Sequence, residues 1–214
     1  MRLLTMKPLG QTGKLRLELE DGSARKIPAW LAVDFSLHPG LELSEQQLSA
    51  LEAAAAKAAA KERAVRITAA SDVSVQELQR RLVRKGQSAE DAQEAAQWLQ
   101  ELQLLDDRRT ACQLVLGAVR KGYGRSRIQN ILYEKGIPHE YWEEALAQIP
   151  EMDEAIDRFL AQRFRAGAPD EKAVRRAVDA LLRRGHSYAD IQKGLRRVLA
   201  DMESEADTDL EDYS

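Results

Sequence analysis

The chain has 214 residues, 44% hydrophobic and 31% charged, which is enough for a sizeable core beneath a charge-rich surface. A formal net charge of −3 argues against a globally basic nucleic-acid binder, and the single cysteine, Cys112, excludes a disulfide framework or a cysteine-built metal site. The N-terminus lacks an apolar run of signal-peptide length and no stretch is long enough for a membrane span, so the expected location is cytoplasmic.

The first elements are strands. Leu15–Leu19 alternates as LRLEL, and Ala24–Ile27 follows after an Asp21-Gly22 turn signal, which together read as a β-hairpin. Leu3–Met6 offers a third strand. Pro28–Leu37 carries Trp30, Leu31, Val33 and Phe35 and reads as a short amphipathic helix stopped by His38-Pro39-Gly40. Residues 1–43 thus form a small β-rich N-terminal module.

From Ser44 on, Ala, Leu, Arg, Glu and Gln dominate, and the expectation is helix. Ser44 and Gln47 have capping-box spacing, as do Ser74 and Glu77. The alanine-rich helix Glu45–Ala70 reads as a linker set by helix propensity. Three helix–turn–helix units then share a basic residue and a glycine at the turn: Lys85-Gly86, Lys135-Gly136 and Arg184-Gly185, spaced by 50 and 49 residues. Five apolar positions align around these turns. They are Leu78, Ile128 and Ala177; Leu82, Leu132 and Leu181; Ala92, Trp142 and Ile191; Ala96, Leu146 and Leu195; and Leu99, Ile149 and Val198. Chance seldom aligns so many, so the chain is an internal repeat. The glycine ends one helix in a left-handed residue, and Ser88, Pro138 and Ser187 start the next. Each pair has a preceding helix, at Glu45–Ala70, Arg108–Lys121 and Glu151–Arg165. The fold class is therefore mainly α: three tandem three-helix repeats (44–104, 105–149 and 150–200) in an elongated, curved array. Residues 201–214 carry seven acids and no base and read as a disordered, solubilising tail.

No catalytic constellation is visible, so an enzyme and a cofactor are not expected. His38, His139 and His186 lack metal-ligand spacing, and the last two fall at repeat turns. Cys112 reads as a small buried hydrophobe, Trp142 as core, Tyr141 as its exposed neighbour, and Trp98 as a repeat–repeat contact. The candidate binding residues are basic. Repeat one supplies Arg80, Arg81, Arg84 and Lys85. Repeat two places Arg120, Lys121, Arg125 and Arg127 around Tyr123. Repeat three supplies Arg175, Arg176, Arg183 and Arg184, with Arg196 and Arg197 further on. Each alone reads as solvated surface; their recurrence in an acidic chain points equally to a surface for phosphates or acidic protein.

At repeat two a resemblance becomes specific. Leu105-Asp106-Asp107, Arg109, Ala111, Arg120-Lys121-Gly122-Tyr123-Gly124, Arg127-Ile128, Leu132 and Lys135-Gly136-Ile137 resemble the central signature of RecX proteins. Glu77–Gly86 resembles the family's first repeat, and the hairpin module resembles the N-terminal extension of one of its branches. The likeness spans roughly Leu3 to Leu199. It implies a regulator that binds the filament of RecA recombinase on single-stranded DNA and restrains its recombinase, ATPase and coprotease activities; the sequence offers no clear dimer seam, so a monomer is the default expectation. Two other readings stay open. One is a tandem helix–turn–helix DNA-binding regulator, weakened by the acidic starts SAEDAQ, PHEYWE and SYADIQ of the third helices. The other is a scaffold without nucleic acid.

Overall fold

A computed structural model describes residues 1–211 of the chain, with side chains described through Ser204. The chain divides into two compact units, Met1–Leu105 and a second from Asp106 onward.

The first unit opens with a three-stranded antiparallel sheet in the order β1 (Leu3–Pro8), β2 (Lys14–Leu19), β3 (Ala24–Pro28). The alternation in β2 does what its period demands: Leu17 and Leu19 are buried on one face while Arg16 turns out. Leu17 lies opposite Met6 on one side and Arg25 on the other. The turn between β2 and β3 is held by Asp21, whose Oδ1 accepts from the Ser23 N–H at 2.9 Å and the Ser23 hydroxyl at 2.6 Å. Helix α1 (Ala29–Asp34) is shorter than its sequence pattern suggested and buries Leu31.

Helix α2 (Glu45–Ala70) starts at the expected capping box, with Ser44 Oγ accepting from Gln47 N–H and the Gln47 side chain accepting from Ser44 N–H. It is not a linker. Leu48, Leu51, Ala54 and Ala55 close the core of the sheet module, while Ala60, Ala64 and Ile67 belong to the core of repeat one. Alanine serves here as a small core residue, and its helix propensity had hidden that role. Helices α3 (Val75–Arg84) and α4 (Ala89–Glu101) complete repeat one around Leu78, Leu82, Ala92, Ala96 and Leu99. Leu105, expected to open repeat two, packs into this core instead. Trp98, expected at a repeat–repeat contact, is half-buried on the core of its own repeat, with the Lys61 ammonium 5.5 Å above its ring.

The second unit holds two more cores. Helix α5 (Asp107–Arg120), capped by Asp106, packs with α6 (Arg125–Glu134) and α7 (Trp142–Leu146) around Ala111, Val115, Ile128, Leu132 and Leu146. The third helix of this repeat is one short segment behind a single 3-10 turn, His139–Tyr141, because Pro138 holds an extended backbone (φ −57°, ψ 140°) and Pro150 follows close behind. Trp142 lies on the core as expected and donates from Nε1 to the Ile137 carbonyl at 3.0 Å. Tyr141, expected outside, is half-buried against the same core. Cys112 is half-buried and its Sγ accepts from Gln148 at 2.9 Å. Helices α8 (Asp153–Arg163), α9 (Glu171–Arg183) and α10 (Tyr188–Glu211) form the third core around Ile156, Leu160, Ala177, Leu181, Ile191 and Leu195. Helix α10 continues through Asp201–Glu211, where a disordered tail was expected. Met202 still packs on the core, and Ala, Glu, Met and Leu are good helix formers. Residues 212–214 of that expected tail lie outside the described residues.

Candidate partner-binding surface

The basic residues of repeat one divide by helix face. Arg81 is half-buried and turned back on its own repeat, paired with the Glu77 carboxylate and donating to Ser71 Oγ at 3.2 Å. Arg80 and Arg84, one turn apart, line a groove of about 610 Å³ together with Gln76, Gln79, Val83, Ala89 and Gln93. Lys85 and Arg81 border a second depression of about 640 Å³, whose other walls come from Arg63, Arg66, Ile67, Ala70 and Ser71. Arg63 donates to the Lys85 carbonyl at 2.7 Å and so caps the end of α3 from the side. Neither Arg63 nor Arg66 is among the expected binding residues, because the alanine background of α2 signals only helix propensity. The available signal was two arginines three residues apart in an alanine background.

In repeat two, Arg120, Lys121 and Arg125 are exposed at the turn between α5 and α6. Arg127 is half-buried and pairs with Glu134 at 3.3 Å. Tyr123 is packed against the repeat-two core, so the basic patch has no free aromatic at its centre. In repeat three, Arg175, Arg176 and Arg183 are exposed on α9. Arg184 is half-buried, its guanidinium 4.6 Å over the Phe159 ring. Arg197 is held by Asp157 at 2.8 Å and Asp153 at 3.3 Å, and Arg196 bonds back to the Gln192 carbonyl at 3.3 Å.

The turns of repeats two and three are fastened together. Gly124 N–H donates to the Arg184 carbonyl at 2.8 Å, and Ser126 N–H to the Gly185 carbonyl at 3.2 Å. His186 Nε2 lies 3.0 Å from the Gly122 carbonyl, an acceptor, which puts the ring proton on Nε2. The approach needs glycine on both sides. A Cβ on Gly124 would stand 2.3 Å from the Gly185 oxygen, and one on Gly185, whose φ is +85°, would stand 2.3 Å from the Arg127 nitrogen. This contact brings the turn carrying Arg120, Lys121 and Arg125 against the turn carrying Arg183 and Arg184, two clusters that lie far apart in sequence.

His186 is buried in the contact, and burial pushes its pKa below the ordinary imidazole value. The Arg184 charge lowers it further, while the bond to Gly122 and the Asp190 carboxylate act in the opposite sense. The ring is therefore neutral near pH 7. The cleft beside the junction, about 440 Å³, is lined by Arg125 and Lys193 but also by Glu151, Asp153 and Asp190. Its mixed charge makes it a poor phosphate pocket. Among the described residues no three His, Cys, Asp or Glu side chains converge on a metal position, and no helix is long and apolar enough to cross a membrane.

Residues 106–146 match the family model of the second three-helix domain of RecX. A regulatory protein RecX from Shigella dysenteriae serotype 1 is 39% identical over 97 residues, which cover 41% of this chain and 58% of that protein. A regulatory protein RecX from Escherichia coli O9:H4 is 35% identical over 145 residues, covering 62% of this chain and 87% of the relative. A crystal structure of regulatory protein RecX superposes with a TM-score of 0.66 at 21% identity, covering 90% of this chain and 98% of that one. The RecX structure from Lactobacillus salivarius gives 0.57 at 20% identity, covering 68% of this chain and 97% of its own. These two likenesses establish the fold, and the curated relatives are named as regulators. On the strength of the sequence match to them, this chain belongs to the RecX family of regulatory proteins.

Proposed function

We propose that the chain acts in the cytoplasm as a monomeric regulator of RecA recombinase, binding the RecA filament on single-stranded DNA and restraining its ATPase, strand-exchange and coprotease activities. The observation that carries this reading is the fastening of the repeat-two turn to the repeat-three turn. It sets the turn that carries the exposed Arg120, Lys121 and Arg125 beside the turn that carries the exposed Arg183, on a chain whose net charge is −3. Such exposed cations suit a partner that presents carboxylates or phosphates. The third helices do not suit major-groove reading, since Ser88 and Ser187 cap them with Asp91 and Asp190 in the first turn.

The test follows ATP hydrolysis by RecA on single-stranded DNA while this protein is added, first substoichiometrically and then at equal amounts. Progressive inhibition is expected, and replacing Arg120, Lys121 and Arg125 with Glu should abolish it without loss of helical content. No inhibition combined with binding to bare DNA would overturn the proposal in favour of a DNA-binding regulator.

A further inference from the structure

Each repeat ends its second helix on one pattern: an apolar residue, a charged residue, a basic residue, then glycine. The three instances are Val83-Arg84-Lys85-Gly86, Tyr133-Glu134-Lys135-Gly136 and Leu182-Arg183-Arg184-Gly185. The core stripe of each helix is already supplied by Leu78 and Leu82, Ile128 and Leu132, and Ala177 and Leu181, all buried. The first residue of each pattern lies off that stripe and is exposed: Val83 by 47%, Tyr133 by 75% and Leu182 by 43%. One exposed Val or Leu needs no explanation. Here, three of the twelve exposed large hydrophobic side chains among the described residues fall on a single register position of the repeat. The fold does not require them there.

We infer that Val83, Tyr133 and Leu182 are repeated docking points for a protein partner built of identical subunits in a row, each offering an apolar depression bordered by carboxylates. This inference rests on the filament reading above and names the side chains that make the protein contact. The recurrence selects a partner with its own repeat, because equivalent residues on successive units can then meet equivalent patches. Charge selects the rim. Val83 stands in a groove with Arg80, Arg84 and three glutamines and no acid, and the exposed Arg183 follows Leu182. At Tyr133 the one acid of the pattern, Glu134, is taken up by Arg127. Nucleic acid fits these positions less well, since Val83 and Leu182 have no ring on which a base could stack. An apolar anchor within a charged rim is the usual make-up of a protein contact. One such anchor per repeat holds weakly, but contacts in series on one chain reinforce each other through effective concentration.

The test is cosedimentation and anisotropy with RecA assembled on a labelled oligonucleotide and a slowly hydrolysed ATP analogue. Val83→Asp, Tyr133→Asp and Leu182→Asp are measured singly and together, with a Val83→Ser, Tyr133→Ser, Leu182→Ser chain as the second variant. Each single change is expected to weaken filament binding by about tenfold, the loss of one partly buried apolar contact. The triple changes should weaken it by at least about a hundredfold. Melting temperature should hold, because the side chains are exposed. Wild-type binding that survives both triple variants would overturn the inference while leaving the filament reading intact. Absence of wild-type binding would overturn both. A wild-type dimer in sedimentation that the triple variants abolish would assign the surface to a second copy of the chain and also overturn it.

Discussion

The turns Lys85-Gly86 and Arg184-Gly185 occupy the same place in their repeats, yet the structure uses them differently. Both stop a helix, and both glycines take left-handed φ, +87° and +85°. In repeat one the carbonyl of the basic residue is capped by the side chain of Arg63 at 2.7 Å, and the space beside Gly86 is open. In repeat three the equivalent carbonyl is capped by the backbone N–H of Gly124 at 2.8 Å, and nothing larger than hydrogen fits beside Gly185. Gly86 therefore does one job and Gly185 does two. A periodic sequence specifies the shared job; the second depends on which repeat stands next to the turn.

Alanine at each glycine is the sharpest way to break this comparison. Gly86→Ala should cost about 1–2 kcal/mol, the left-handed penalty alone. Gly185→Ala adds a collision with the Arg127 backbone and should cost about 4 kcal/mol or more. Equal losses in chemical denaturation would mean that the repeat-three contact is loose. Gly124→Ala isolates the collision, since Gly124 has an ordinary φ of −78°. We expect a loss of about 2–3 kcal/mol, of the size seen for overpacking, and an unchanged melting curve would remove close approach from the account.

A smaller effect is expected from acid. Because the His186 pKa is depressed in the folded state, the unfolded chain binds the proton first as pH falls below about 6.5. Stability is then highest above that value and declines below it, levelling off once the folded-state pKa is passed. In His186→Gln, which keeps an N–H donor, this slope in melting temperature between pH 7 and 5 should flatten. A slope that is unaltered would assign the acid sensitivity to other groups. The smallest effect is Arg63→Ala, which frees the Lys85 carbonyl to water and should cost under about 1 kcal/mol in denaturant melts. A larger loss would make the side-chain cap of repeat one as strong as the backbone cap of repeat three.

Much of the fold was legible because its causes are local. Alternation at Leu15–Leu19 gave a strand, Ser44 with Gln47 gave a helix start, and basic-Gly turns gave the repeat. What escaped depends on neighbours in space. Ala60 and Ala64 are fully buried, but alanine favours any helix, so the pattern of α2 said nothing about what would cover it. The candidate surface shows the same limit. Arg80 and Arg81 are adjacent and equivalent in composition, yet Arg80 faces the groove and Arg81 is spent on Glu77 and Ser71. Tyr123 looked like an aromatic set among cations until the core claimed it. The meeting of the Gly124 and Gly185 turns had no signal beyond two glycines, because glycine written for a turn and glycine written for a close approach read alike.

Helix α2 carries a consequence for cooperativity. Its 26 residues make a rod of about 39 Å, with its first half in the core of the sheet module and its second half in the core of repeat one. Neither core can lose this helix and stay closed, so neither can melt without baring the other. The N-terminal module and the first repeat are thus one thermodynamic body, and hydrogen exchange along α2 should report a single opening free energy from Leu48 to Ile67.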